Sequence, residues 1–168
     1  MADRMVEVVV EIGGEAVPAG RLWSHRRRGA ESATFTYLPE YLARPDAYAL
    51  DPELELDASP KQTASNLRMF RSFSDCAPDG WGRRLIRRSK ARRAASGERA
   101  ERSIGEIDFL LGVRDDMRQG ALRFREPGGD FLEPEESGVP PLVELPRLLG
   151  AAERLDADMA SDEDLRTL

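Results

Sequence analysis

The sequence of 168 residues contains only one cysteine, Cys76, and one histidine, His25. These are the residue types that most often form disulfides or bind zinc. A single cysteine excludes a disulfide within the chain, and the two residues are too few for a zinc centre of cysteine and histidine ligands. Apolar runs of about 18 residues, which a membrane span requires, are also missing. The first ten residues include acidic side chains and do not follow the basic-then-apolar order of a secretory signal. We therefore expect a cytoplasmic protein with no membrane contact.

Basic residues are scarce at the end of the chain. Residues 126–168 contain 12 acidic and 3 basic side chains and carry a charge of −9, so residues 1–125 carry +3 of the total of −6. A general nucleic-acid binder is more often basic throughout. Hydrophobic residues make up 40% of the chain and charged residues 33%. This composition and length fit one domain, or one subdomain of a larger protein, with a core of its own.

Three segments near the start have the pattern of an antiparallel meander. Residues 5–12 are rich in valine and lead directly into the glycine pair at 13–14, which is typical of a strand that enters a tight hairpin. Residues 17–24 would form the partner strand. Residues 32–38 alternate in a way that places Ala33, Phe35 and Tyr37 on one face of a third strand.

Two further segments complete the predicted sheet. Residues 39–66 contain four prolines, too many for a long helix, so we expect a connection with short extended pieces around residues 47–50. Residues 120–125 alternate again and predict a strand that returns to the sheet. The predicted fold is therefore α+β, with an antiparallel sheet packed against several helices.

A strongly basic helix is predicted over residues 80–95. Pro78, Asp79 and Gly80 interrupt the preceding chain, and the Asp79 carboxylate can cap the helix that follows, which would stop near Gly97. Seven basic residues occupy most of its surface: Arg83, Arg84, Arg87, Arg88, Lys90, Arg92 and Arg93.

Later helices follow from capping and periodicity. Ser103 and Glu106 have the spacing of a capping box ahead of a short helix that ends near Gly112. Leucines at helical spacing predict a helix over residues 142–155, and residues 162–168 begin another helical turn. Because the chain stops in the middle of that pattern, we expect it to be the front portion of a longer protein.

The basic helix has three interpretations. We favour a solvated face whose arginines pair with the acidic tail, over a contact with another protein or subdomain. Direct contact with nucleic acid is disfavoured, because no aromatic or polar base-reading pattern accompanies the arginines.

Two motifs in this region resemble the N-terminal subdomain of HipA-family proteins. The first reads F-x-x-F-x-D-x-x-P-D-x-W-G-R-x-L-I, and the second combines L-L-G-V-x-D-D with G-A-L-R-F. The matching residues are Phe70, Phe73, Asp75, Pro78, Asp79, Trp81, Gly82, Arg83, Leu85, Ile86, Asp108, Leu110, Leu111, Gly112, Asp115, Asp116, Gly120, Ala121, Leu122, Arg123 and Phe124. The resemblance extends over most of residues 5–168.

HipA-like proteins are bacterial serine/threonine kinases, best known as toxins of type II toxin-antitoxin systems. The resemblance implies that the kinase machinery lies after this subdomain. The sequence contains no G-x-G-x-x-G loop, no H-R-D and no D-F-G, since Asp108 and Phe109 are followed by Leu110. We therefore expect no catalytic, cofactor-binding or metal-binding residue in this chain, and ATP and Mg²⁺ only in a full-length parent.

The resemblance predicts a non-catalytic module. Residues 1–126 would form the subdomain, and residues 127–168 an acidic loop and helical segment that leads towards a kinase core. The module would pack on that core and contribute to antitoxin contacts or self-association. The alternative is a free-standing module that inhibits a separately encoded kinase, in the manner of an antitoxin.

The motif residues that we expect to define the fold or to contact a partner form one set: Phe73, Asp75, Pro78, Asp79, Trp81, Gly82, Arg83, Arg84, Gly120 and Phe124. We expect the Trp81 ring to be part of the core, as is usual for a tryptophan early in a capped helix. Cys76 is interpreted as a buried thiol, since no histidine base lies near it in the sequence. Asp115 and Asp116 are interpreted as a turn before the returning strand, and His25 as lacking a carboxylate partner for proton chemistry.

Overall fold

The computed structural model describes residues 4–27, 29–95, 104–113, 115, 118–131, 145–157, 159–161 and 163–164, with only the backbone described at residues 89, 92–94 and 145–148. Its elements follow the chain in the order β1 (Arg4–Ile12), β2 (Glu15–Arg27), β3 (Ala30–Tyr37), α1 (Pro39–Leu42), β4 (Lys61–Gln62), α2 (Arg71–Asp75), α3 (Gly80–Ala95), α4 (Glu106–Leu111), β5 (Leu122–Arg125) and α5 (Leu145–Asp156). The predicted α+β class is confirmed.

The five strands form one antiparallel sheet in the order β4-β3-β2-β1-β5. Gly13 and Gly14 connect β1 to β2 with φ angles of 60° and 84°, a conformation that glycine adopts without steric cost. The predicted meander and the return of the 120–125 segment to the sheet are both confirmed, since β5 pairs with β1. Residues 47–50 contain no strand, and the short extended piece of this connection is β4 at Lys61–Gln62.

One face of the sheet carries the core, because alternate side chains in the middle of β1 and in the second half of β3 are buried. These buried side chains are Val6, Val8, Val10, Ala33, Phe35 and Tyr37. Gly20 in β2 lies under the Phe35 ring, and a Cβ added there would be 2.2 Å from a Phe35 ring carbon and 2.6 Å from the Thr36 carbonyl oxygen. The position therefore admits only glycine without a shift of the sheet.

Two tyrosines fix the long connection after α1. The Tyr37 hydroxyl accepts a hydrogen bond from Leu50 N at 2.9 Å and donates one to Leu54 O at 3.1 Å. The Tyr41 ring stacks on Tyr37 with centroids 5.5 Å apart, and its hydroxyl donates to Tyr48 O at 2.9 Å. The two tyrosine hydroxyls thus form hydrogen bonds with backbone groups of the connection, as a regular helix or strand would otherwise do.

The chain divides into two compact units, and the division falls within α3. The first unit comprises Met1–Arg83 and Glu101–Glu133, and it includes the whole sheet and α4. The second comprises Arg84–Ala100 and Pro134–Leu168, and it includes most of α3 together with α5. The predicted domain boundary after residue 126 stays a prediction.

The bounds of α3 agree with the predicted helix over residues 80–95, while the predicted stop at Gly97 lies outside the described residues. Residues 142–144 of the predicted late helix, and residues 162 and 165–168 of the predicted final turn, also lie outside them. Within the described part, α5 covers residues 145–156, and Glu163 and Asp164 are helical.

A capping box precedes α4, but Glu106, which we predicted to belong to it, does not. Glu106 is the first residue of the helix and not its third, so its carboxylate cannot reach back to the cap. Asp108 takes this role, and its carboxylate accepts a hydrogen bond from Gly105 N at 2.7 Å. Ser103 lies outside the described residues.

Candidate functional site

The first motif builds a junction between α2 and α3 in the first unit. Phe73 of α2 is fully buried, and its ring centroid lies 5.4 Å from that of Phe35, 5.7 Å from Phe70 and 5.6 Å from Phe124. All three contacts are edge-on, the arrangement that aromatic quadrupoles favour. Phe73 therefore joins the helix to the sheet, and its burial assigns it to the core.

A carboxylate outside the motif holds the start of α2. Asp51 is 2% exposed, and its Oδ2 accepts a hydrogen bond from Ser72 N at 2.8 Å while Oδ1 accepts one from Glu53 N at 2.9 Å. It does for α2 what a capping side chain does, because the residue before the helix is Phe70, which has no such group. Sequence reasoning missed Asp51, although Asp51 before Pro52 was a turn signal.

The P-D-x-W-G segment forms the capped start of α3. The Asp79 carboxylate accepts a hydrogen bond from Gly82 N at 2.9 Å, and its backbone oxygen accepts one from Arg83 N at 2.9 Å. The predicted cap is confirmed. Gly82 is required by Pro78, because a Cβ at Gly82 would lie 2.7 Å from the Pro78 Cβ.

Arg83 fastens this junction to α4. Its guanidinium makes a two-point ion pair with Glu106, at 3.0 Å from Nη1 to Oε1 and 2.9 Å from Nη2 to Oε2. Nε donates to Pro78 O at 3.0 Å, and the guanidinium carbon lies 4.6 Å from the centre of the Phe109 ring. A forked pair with a stacked ring is a use of arginine that lysine cannot reproduce. Arg83 is thus committed to contacts within the unit.

Arg118 joins three elements of the same unit from the interior. Its side chain is 2% exposed. Nη1 donates to Cys76 O at 3.2 Å, and Nη2 donates to Leu110 O at 2.8 Å and Val113 O at 3.1 Å. The guanidinium carbon lies 5.1 Å from the centre of the Phe124 ring. Nothing in the sequence distinguished Arg118 from the other arginines, since its role depends on carbonyls that are distant along the chain.

The tip of the β2–β3 hairpin holds the start of α4. Glu31 Oε1 accepts hydrogen bonds from Glu106 N at 2.9 Å and from Ser24 Oγ at 3.1 Å, and Arg26 Nη2 donates to Ile104 O at 2.6 Å. The carboxylate therefore lies at the amino end of a helix, where unpaired backbone N–H groups favour negative charge.

The ten motif residues differ in how exposed they are to solvent. Phe73 and Phe124 are buried, and Pro78, Trp81, Gly82 and Arg83 are partly buried. The remaining four are exposed: Asp75, Asp79, Arg84 and Gly120. The expectation that the Trp81 ring is part of the core was wrong, because the first turn of α3 leaves the ring partly open to solvent.

In the second unit, the basic face of α3 has acidic and carbonyl partners. Arg84 Nη2 lies 2.8 Å from Asp156 Oδ1, with 55% and 63% of the two side chains exposed. Arg88 Nη1 donates to Leu155 O at 3.4 Å. For Arg84, the predicted pairing with an acidic residue of the tail is confirmed, while Arg83 pairs with Glu106, which precedes the tail.

The described residues that could take part in catalysis, Cys76, His25 and Asp115, have surroundings that do not activate them. Burial raises the pKa of the Cys76 thiol, and the nearby Arg118 offsets only part of that rise. His25 Nε2 lies 2.9 Å from Thr34 Oγ1. Asp115 forms an ion pair with Arg123, while Asp116 lies outside the described residues. The described part of the chain contains no group of three or more side chains suited to hold a metal ion, and within it no helix has the length and apolar character that crossing a bilayer requires.

Fold and site together define an α+β module in which arginines and carboxylates hold α2 and α4 beside an antiparallel sheet and join the capped first turn of α3 to α4. The family model of the HipA N-terminal domain matches residues 10–112, which is more than half of the sequence, and the chain belongs to this family. A comparison with curated proteins found no match.

Proposed function

We propose that this protein is the non-catalytic N-terminal region of a HipA-like toxin kinase, where it packs on the kinase core and contributes contacts to an antitoxin or to a second copy. Family membership supports the assignment to a HipA-like module. The geometry gives such a module a fixed surface, because Phe73 joins α2 to the sheet and Arg83 joins the start of α3 to α4. Placement in the cytoplasm is part of the same proposal.

The observation that carries the proposal is that Trp81, at the capped start of α3, is only partly buried and is not part of the core. Asp79 caps the helix start, and Arg83 ties it to Glu106 and Phe109, so the backbone that carries the ring has little freedom. A tryptophan held in this way loses little conformational entropy on binding, and such aromatic anchors dominate many protein interfaces.

Binding to a kinase core tests this proposal directly. The probe is the purified catalytic region of a HipA-like kinase from the same genome, titrated onto the immobilised protein. We expect Trp81→Ala to weaken binding by about tenfold or more, as expected for a hot-spot residue. The matched control is Tyr48→Ala, which removes another aromatic of the same unit that is 45% exposed, and we expect it to change affinity by less than about twofold. Equal effects of the two variants would count against Trp81 as the anchor.

The alternative role is inhibition of a separately encoded kinase, and it would use the same surface. The two roles differ in whether the kinase core is encoded in the same gene as this module. Reading the nucleotide sequence beyond the codon for Leu168 separates the two roles, because an open frame that continues into a kinase favours the first. For the alternative, co-expression with the neighbouring kinase should restore growth. Growth that stays arrested would remove it.

A nucleic-acid role for the basic helix is disfavoured by the pairing of Arg84 with Asp156 and of Arg88 with Leu155 O. If such binding existed, the logarithm of its affinity would fall steeply with salt, in proportion to the phosphates neutralised. We expect DNA titrations of the wild-type protein to show no such dependence.

A further inference from the structure

Two polar atoms in the interior of the first unit face each other without a hydrogen bond. Arg118 Nε and Asp115 Oδ1 are buried and lack a hydrogen-bond partner, and they lie 3.9 Å apart. An N–H···O hydrogen bond spans about 2.7–3.2 Å, so this separation is too long for a direct bond.

The rest of each side chain is already committed. The Arg118 Nη atoms donate to the carbonyls of Cys76, Leu110 and Val113. The other Asp115 oxygen, Oδ2, accepts a hydrogen bond from Arg123 Nε at 2.6 Å. Neither side chain can rotate to satisfy its free atom without breaking one of these bonds.

Leaving both atoms unpaired would be costly at this position. The Arg118 side chain is 2% exposed and the Asp115 side chain 11%, and a buried polar group without a hydrogen-bond partner destabilises the fold, more so when it is charged. Interior waters are common where two to four polar groups converge, at about one per 27 residues. A water about 2.8–2.9 Å from each atom bridges a gap of this length with an angle near 90° at its oxygen, and so meets both requirements at once.

We propose that a single ordered water molecule binds between Arg118 Nε and Asp115 Oδ1, accepting a hydrogen bond from the first and donating one to the second. With this water, each of the three nitrogens of the Arg118 guanidinium donates at least one hydrogen bond, since Nη1 and Nη2 already donate to carbonyls. The water thus belongs to the hydrogen-bond network of Arg118, which holds the C-terminal ends of α2 and α4 beside β5.

A crystal structure of the whole chain at about 1.5 Å resolution tests the site, since ordered interior waters are visible there. The expected result is a density peak within about 3.2 Å of both atoms. A direct hydrogen bond between Nε and Oδ1, or an empty gap between them, overturns the proposal.

A solution experiment avoids any dependence on crystal conditions. A long-lived bound water gives the Arg118 Nε–H signal a cross-peak to water whose sign differs between NOESY and ROESY spectra, whereas proton exchange gives the same sign in both. Arg123 Nε–H is the internal control, because it bonds directly to Asp115 and should show no such peak. The Arg118→Lys and Arg123→Lys variants each remove one Nε and so assign the two signals. A missing cross-peak at Arg118, or equal cross-peaks at both arginines, overturns the proposal.

Discussion

Arg83 and Arg84 are neighbours in the sequence and have different surroundings in the structure. Arg83 is engaged by Glu106, Pro78 and Phe109 within the first unit. Arg84 makes an exposed pair with Asp156 in the second. An exposed ion pair contributes about 0–1 kcal/mol to the free energy of unfolding, since solvent screens it. A two-point arginine–carboxylate pair whose guanidinium also stacks on a ring contributes more. A basic residue in this helix therefore has to be interpreted by its contacts and not by its charge.

The largest effect of a single arginine is expected at Arg118. Arg118→Met keeps the length of the side chain but leaves the carbonyls of Cys76, Leu110 and Val113 without their donor. Each such buried group costs about 1–3 kcal/mol, so we expect the free energy of unfolding to fall by about 3 kcal/mol or more. Urea denaturation followed by tryptophan fluorescence measures the change.

The control for that variant is Arg84→Met, whose partner Asp156 is exposed. We expect its free energy of unfolding to stay within about 1 kcal/mol of wild type. Losses of equal size in the two variants would show that the carbonyl network of Arg118 contributes little.

Tyr37 gives the molecule a dependence on alkaline pH. Burial raises the pKa of the Tyr37 hydroxyl from 10.0 to about 12, against the opposing effect of its hydrogen bond from Leu50 N. Below about pH 10 the hydroxyl keeps its proton in both the folded and the unfolded chain, so stability does not depend on it. Between pH 10 and about 12 the unfolded chain releases this proton while the folded chain retains it, and stability falls as pH rises.

The Tyr37→Phe variant tests this dependence, because it lacks the titrating hydroxyl. We expect a lower free energy of unfolding at pH 8, since the hydrogen bonds to Leu50 and Leu54 are lost. Its further decline between pH 10 and 12 should be shallower than that of the wild type. Parallel declines in the two proteins would assign the alkaline sensitivity to other groups.

At the scale of the element, the sheet depends on close approach at Gly20. Gly20→Ala places a Cβ 2.2 Å from a Phe35 ring carbon and 2.6 Å from a backbone oxygen. Backbone cannot move aside as a side-chain end can, so we expect a loss of about 3 kcal/mol or more in the free energy of unfolding, at the upper end of overpacking costs. Thermal unfolding followed by circular dichroism measures it.

Gly80 provides a matched comparison in a helix. A Cβ at Gly80 meets no atom within 4 Å, and the residue begins α3. Gly80→Ala removes freedom from the unfolded chain, so we expect no loss of stability and a gain of up to about 1 kcal/mol. A loss at Gly80 as large as that at Gly20 would contradict the steric explanation.

The capped start of α3 is a separate element-scale prediction. Asp79→Ala removes the acceptor for Gly82 N, and we expect a loss of about 1 kcal/mol, as for other helix caps. The matched variant is Asp75→Ala, which removes an exposed carboxylate at the end of α2 and should change stability by less than about 0.5 kcal/mol. Chemical denaturation of the two variants side by side decides whether the cap or the charge matters.

For the whole molecule, the order of the strands sets which region opens last. β1 is paired on both sides, by β2 and β5, and β2 is paired by β1 and β3. β4 has two residues at one edge. Hydrogen exchange of the native protein should therefore be slowest in β1 and β2 and much faster in β4, because central strands open only with global unfolding. Uniform protection across the sheet would contradict this order.

The family assignment and the binding proposal also belong to this scale. The HipA N-terminal domain model matches residues 10–112, a range that contains β1 from its seventh residue through α4. The polar groups that fix this region are satisfied by one another, as in the forked pair of Arg83 with Glu106. A partner would therefore meet a preformed surface, and binding would require little ordering of the module.

The sequence by itself determined the local features. Valine-rich alternation, paired glycines and the Asp79 cap specify the meander and the bounds of α3, because strand period, turn conformation and helix capping each depend on residues a few positions apart. The two motifs also determined the family. The capping of α4 shows the limit of this reasoning, since two acceptors with suitable spacing compete and only the fold selects Asp108 over Glu106.

Only the tertiary structure decided the roles of Asp51, Glu31 and Arg118 and the partial burial of Trp81. Asp51 bonds to Ser72, Glu31 to Glu106, and Arg118 to the carbonyl of Cys76. Their spacings along the chain have no period, because each contact forms between elements that the sheet brings together. Sequence patterns record the period of a helix or strand, whereas burial and long-range hydrogen bonds depend on how those elements pack.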